Sequence, residues 1–148
     1  YVIEQITRIP VEVDLASEFR YRNPILEKDS MVIIISQSGE TADSLAALRK
    51  AQELGVKVLG VVNVVGSTIA READNVLYTW AGPEISVATT KAYSTQLAAL
   101  YLLAILFGEV RGAITGEEYK ELLAELQSLP DKIQEILGGL LAHYFLAD

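Results

Sequence analysis

The sequence predicts an α/β domain built on a parallel, doubly wound sheet flanked by helices. Three observations lead there. Short β-rich runs alternate with helical patterns, the grammar of strand–helix–strand crossovers. Two of those runs are continuously apolar, as strands buried on both faces are. A chain of 148 residues with 51% hydrophobic content is long enough for one sizeable core.

Tyr1 to Ile9 reads as an amphipathic helix. Val11-Glu12-Val13-Asp14-Leu15 alternates apolar and polar residues, which predicts an edge strand with one wet face. Met31-Val32-Ile33-Ile34-Ile35 and Val58-Leu59-Gly60-Val61-Val62 predict buried strands, with Asn75-Val76-Leu77-Tyr78 a shorter relative. Between the first two buried strands, Leu45, Leu48, Ala51 and Leu54 share one face of a helix over Thr41 to Leu54. Gly55 follows as the residue able to take positive φ past its end. Val87 to Phe107 reads as one long helix, apolar nearly all round beyond Gln96, which predicts burial against the sheet and a second layer. Its Leu97, Leu100, Leu103, Ala104 and Phe107 form one face. Thr115-Gly116-Glu117-Glu118 fits a capping box that opens an acidic helix. That helix is predicted to end near Leu129-Pro130, with another turn or two over Asp131 to Leu137 and an interruption at Gly138-Gly139.

Composition excludes several functions. Twelve basic against twenty acidic residues leave a net charge of -8, which opposes general nucleic-acid binding. The imbalance is uneven: residues 109–148 hold three basic and eight acidic groups, whereas residues 1–108 hold nine and twelve. The first stretch can therefore still receive an anion. With no cysteine there are no disulfides, thiolate nucleophiles or cysteine zinc sites. The single histidine, His143, predicts neither a metal site nor a catalyst, and packing suits it better. The longest unbroken apolar run, Leu97 to Phe107, falls short of a bilayer span, so no membrane partner is expected. No secretory signal opens the chain, which begins with Tyr rather than Met. A soluble, cytoplasmic domain or domain fragment is the expectation.

The most informative stretch is Ser36-Gln37-Ser38-Gly39-Glu40-Thr41, which follows a buried strand and opens a helix. Open parallel sheets bind ligands at that end. Three hydroxyls and a carboxamide beside helix N-terminal amides suit a phosphate or another anion. Simple helix capping by Ser36 or Ser38 is the competing reading, but capping needs one such residue and the loop offers three hydroxyls. No Walker lysine or G-x-G-x-x-G is present, which disfavours nucleotides. A second candidate is Glu84 to Lys91, before the long helix. There Thr89 and Thr90 serve either as caps or toward a ligand, and Lys91 is either solvated, paired or part of the site. Arg20 and Arg22 read as surface charges or contacts to a neighbour.

Several motifs now resemble one family. Ala16-Ser17-Glu18-Phe19-Arg20-Tyr21-Arg22, Ser36 to Asp43, Val62-Asn63-Val64-Val65-Gly66-Ser67, Ile69 to Asp74 and Ala88-Thr89-Thr90-Lys91-Ala92 occur in matching order and spacing. Together they are similar to the first sugar-isomerase (SIS) domain of the isomerising glutamine–fructose-6-phosphate aminotransferases, over about Tyr1 to Leu137. The resemblance implies a five-stranded parallel SIS sheet, with an SIS domain over residues 1–137 that lacks the first of those strands, and a helical linker over 138–148 toward a second SIS domain. It implies that Ser36, Gln37, Ser38 and Thr41 hold the phosphate of fructose 6-phosphate or glucosamine 6-phosphate, with Val87 and Thr89 near the sugar. It implies no cofactor and no metal.

The family's first strand and its Cys-Gly-Thr-Ser loop are expected before Tyr1, and the catalytic residues in the absent second SIS domain. The glutaminase domain would be a further partner. This chain alone is therefore expected to be catalytically inactive and to form a homodimer. The alternatives are a non-catalytic phosphosugar sensor and a dimerisation module.

Overall fold

The computed structural model describes residues 1–85, 89 and 91–145, the side chains of 140–145 excepted. The elements in chain order are α1 (Val2–Thr7), α2 (Ala16–Phe19), β1 (Met31–Ser36), α3 (Ala42–Glu53), β2 (Lys57–Val62), α4 (Thr68–Glu72), β3 (Asn75–Tyr78), α5 (Lys91–Val110) and α6 (Gly116–Phe145). The chain forms two compact units, one of Val11–Leu100 and one of Tyr1–Pro10 with Tyr101–Asp148.

In the first of these the β-branched runs pair as expected, but only β2 is buried on both faces, since β1 leaves Met31 and Ile35 44% and 42% exposed. β1, β2 and β3 lie side by side in that order, all parallel. Ile34 stands opposite Gly60, and Ser36 opposite Val62. Because side chains alternate across a strand, Val32, Ile34, Val58 and Val62 point to one face. There they meet Leu48, Ala47 and Ala51 of α3, Ile69 of α4 and Phe19 of α2 in one apolar cluster. Gly60 is where α4 comes closest: a Cβ there would stand 3.1 Å from Ile69 Cγ2. A larger residue would push the helix off the sheet. Gly55, at φ 78, ends α3 as expected, donating its N–H to Gln52 O at 2.9 Å.

The strand expected over Val11 to Leu15 does not form, and the sheet has three strands among the described residues where four were expected within this chain. Alternation alone cannot make a strand, because the backbone also needs a neighbour to exchange hydrogen bonds with. Among the described residues β1 pairs with β2 alone. Val13 and Leu15, which the alternation would bury, are 89% and 65% exposed. Ion pairs hold the segment instead, Arg22 reaching Glu12 at 2.7 Å and Asp14 at 2.8 Å.

In the other unit, α1 ends at buried Thr7, whose hydroxyl donates to Ile3 O at 2.7 Å. Gly108 of α5 lets α1 approach: a Cβ there would stand 2.7 Å from Ile6 Cγ2. The capping box forms as read, with Thr115 N donating to Glu118 Oε2 at 2.7 Å and Glu118 N to Thr115 Oγ1 at 3.2 Å. The rest of that reading is corrected. α6 is a single helix through Pro130 and past Gly138-Gly139. Proline costs one helical bond, here to the Leu126 carbonyl, but its own φ is helical. The turn around it gains a Ser128 hydroxyl bond to Glu125 O at 2.8 Å and the Lys132–Glu125 ion pair. Glycine lowers helix propensity without forbidding the conformation.

The long helix is also shifted. Thr89 is not helical, α5 begins at Lys91 and continues to Val110, and the expected start at Val87 lies outside the described residues. Ile105 is buried while Leu97 is 38% exposed, so the buried stripe differs from the face predicted above. By length and composition alone α5 passes for a membrane span, a test that the core helices of soluble proteins also satisfy.

Leu48 is fully buried at the centre of the apolar cluster. Replacing it with Ala is expected to lower stability by ~2–5 kcal/mol in urea unfolding, with the far-ultraviolet spectrum unchanged.

Candidate functional site

The loop from Ser36 to Thr41 begins where β1 runs out of β2 to pair with. Ser36, the last strand residue, is buried, whereas Glu40 and Thr41 are exposed. The turn between them needs positive φ, and Gly39 supplies it at 67°. Space demands the same residue, because a Cβ on Gly39 would fall 2.1 Å from Ser67 Oγ. Ser67 is itself buried, and its hydroxyl has no hydrogen-bond partner among the described residues.

Two of the loop hydroxyls are oriented by backbone. Ser36 Oγ accepts the Gly39 N–H at 3.0 Å, and Ser38 Oγ accepts the Glu40 N–H at 3.2 Å. A hydroxyl that accepts from the backbone still has its own proton to donate. Thr41 occupies the N-cap of α3 but makes no side-chain cap bond, so its hydroxyl does not satisfy the first-turn amides of that helix. Ser36 and Ser38 thus bond N–H groups of the turn itself and not those of the first turn of α3. Gln37 is half-buried and fixed through its carbonyl, which accepts the Asn63 N–H at 3.2 Å.

What the loop caps is the neighbouring helix. Gly39 O accepts the Ile69 N–H at 3.0 Å. Glu40 takes the Thr68 N–H on Oε1 and the Thr68 hydroxyl on Oε2, both at 2.7 Å. These two donors, the hydroxyl most strongly, hold the Glu40 carboxyl below its ordinary range, helped by the nearby charge of Arg71. The α4 cap thus comes from another loop, since Ser67 at its N-cap makes no side-chain cap bond. On the far side, Asn63 Oδ1 accepts from Thr79 Oγ1 at 3.1 Å and Ala81 N at 2.7 Å, while Nδ2 donates to Gly82 O at 2.8 Å. That side chain ties together the loops that follow β2 and β3.

Ser36, Gln37, Ser38 and Thr41 are therefore gathered at the carboxyl end of β1. Thr89 is exposed and irregular, with no described contact joining it to them, and Val87 lies outside the described residues. Lys91 spans its loop, donating from Nζ to Pro83 O at 2.6 Å. Arg20 and Arg22 are surface charges that are also paired, Arg20 Nη1 reaching Asp43 Oδ1 at 2.6 Å. Asn63, Ser67 and the clasp of Glu40 on Thr68 were not identified as site residues from composition. The signals for Asn63 were its place directly after a buried strand and its position, with Ser67, in one of the motifs that carry the resemblance.

A hydroxyl-rich turn at the carboxyl end of a parallel strand, braced by the next crossover, is an arrangement of open α/β domains, whose ligands bind at that end of the sheet. Residues 1–106 match the SIS domain, and the chain belongs to that family. It is 61% identical over 137 residues to the isomerising glutamine–fructose-6-phosphate aminotransferase of Clostridium tetani, covering 93% of this chain and 22% of that protein. The corresponding enzyme of Clostridium acetobutylicum is 57% identical over 139 residues, covering 94% of this chain and 23% of that one. The chain thus spans less than a quarter of the length of these curated relatives. The C-terminal domain of glucosamine–fructose-6-phosphate aminotransferase from Francisella tularensis superposes with a TM-score of 0.84 at 39% identity. That superposition covers 86% of this chain and 36% of the other.

Two substitutions test the turn. Gly39→Ala is expected to lose ~2–4 kcal/mol in urea unfolding, because it combines unfavourable φ with overlap onto Ser67. Glu40→Gln reads the clasp through pH. Because the folded carboxyl titrates below its ordinary 4.5, its contribution to stability is present above that value and is lost as pH falls through the folded one. Melting temperatures followed into acid should fall less steeply below that point for Glu40→Gln than for the unmodified chain.

Proposed function

We propose that this chain is the phosphosugar-binding SIS domain of an isomerising glutamine–fructose-6-phosphate aminotransferase. Its ligand is fructose 6-phosphate or glucosamine 6-phosphate, with the phosphate at the Ser36–Thr41 turn. One observation carries the assignment of the site: Ser36 and Ser38 each accept a backbone N–H, at 3.0 and 3.2 Å, which leaves their protons for an acceptor at the mouth of α3. The relatives' names supply the sugar.

The chemistry suits a ligand that must exchange. Neutral hydroxyls, the Gln37 carboxamide and helix amides bind a dianion with hydrogen bonds and a partial charge, without a lysine's full one. Val87 and Thr89 belong to the sugar end of the site in this reading. In the parent enzyme a second SIS domain and a glutaminase domain complete the machinery, residues 138–148 lead toward that second domain, and the assembly is a cytoplasmic homodimer. The share of the relatives' length that this chain spans supports its being one part of such an enzyme.

Calorimetric titration with fructose 6-phosphate tests the reading. Ser38→Ala and Thr41→Ala are each expected to weaken binding by ~1–2 kcal/mol, the scale of a hydrogen bond to a charged acceptor. Unchanged affinity in the double variant would place the phosphate elsewhere.

A further inference from the structure

The mouth of α3 holds a charge that conflicts with an anionic ligand. Asp43 lies in the first turn of that helix, two residues after Thr41. A carboxylate there interacts favourably with the helix dipole of the empty protein. It opposes a phosphate dianion at the same terminus, since like charges repel across a site.

The structure shows what offsets it. Arg20, which follows α2, extends Nη1 to Asp43 Oδ1 at 2.6 Å, across 23 positions of sequence. The guanidinium carbon also lies 4.8 Å from the centre of the Tyr21 ring, which helps fix the side chain. Both partners are partly open to water, with side chains 32% and 42% exposed. The pair therefore contributes little to stability. A role in setting the local charge fits it better.

We propose that Arg20 is a positioning residue for the phosphate turn. By pairing with Asp43 it cancels the one carboxylate in the first turn of α3, so that the helix terminus receives a dianion. The proposal rests on the phosphosugar reading above and adds a residue outside the turn itself.

The test is a charge cycle with fructose 6-phosphate on the whole chain, by calorimetry at low and high salt, with circular dichroism checking the fold of each variant. Arg20→Gln should weaken binding ~3- to 6-fold at low ionic strength, the scale of one unit charge acting on a dianion through water. The loss should shrink as salt is added. Arg20→Lys keeps the charge and should stay close to the unmodified chain. Asp43→Asn removes the need for the arginine, so the Arg20→Gln, Asp43→Asn double variant should return to within ~2-fold of Asp43→Asn alone.

A double variant as weak as Arg20→Gln would overturn the proposal, because Arg20 would then act on the ligand directly or only on the fold. A loss that does not respond to salt would overturn it too. If the unmodified chain fails to bind, the phosphosugar reading falls and takes the proposal with it. That result is distinct from binding that is insensitive to the pair.

Discussion

The constraint on which this structure depends is the contact of Gly39 with Ser67. Only a residue without a Cβ lets the turn after β1 lie on the start of α4, and only there can Gly39 O and the Glu40 carboxylate reach the Ile69 and Thr68 donors. α4 has five residues, too few to be stable alone. It gains its cap from the turn and its packing from Ile69 against the sheet, with Arg49 of α3 bound to Glu72 by two bonds at 2.8 and 2.7 Å. The turn in turn gains a rigid floor. Neither element would hold this geometry without the other.

That mutual support has an electrostatic consequence. The turn carries Glu40 and the helix behind it carries Asp43, in a chain already strongly acidic. Left free, both carboxylates would face an incoming anion. Each is engaged instead, Glu40 by Thr68 with Arg71 nearby, Asp43 by Arg20. What remains directed at the mouth of α3 is a set of neutral donors. The phosphate site proposed for this acidic chain would depend on each nearby negative charge having such a partner.

Much of this was legible in the sequence. Continuous apolar runs at Met31 and Val58 located two strands, although β1 keeps one face open, with Met31 and Ile35 left exposed. The hydroxyls of Ser36, Ser38 and Thr41 located the turn, and Thr115 with Glu118 located a cap. The failures share a cause. Alternation at Val11 to Leu15 describes a side-chain pattern, but a strand is made by its neighbour, and no local pattern reveals one. Pro130 and Gly138 lower helix propensity by amounts that neighbouring turns can offset, so they punctuate weakly. The pairings of Glu40 with Thr68 and Arg20 with Asp43 cross 28 and 23 positions, a distance over which composition carries no signal.

The supports of the turn also share one unit of the chain. β1, β2, α4, Asn63 and the Arg20–Asp43 pair all lie within Val11–Leu100. The Gln37 carbonyl is held by Asn63, and Asn63 by the segment after β3, so the strand-end loops brace one another. The geometry that orients the serine hydroxyls is therefore a property of this sheet and its crossovers. The phosphosugar site we propose rests on that geometry: hydroxyls oriented by backbone N–H groups, with the Glu40 and Asp43 carboxylates each engaged by a partner.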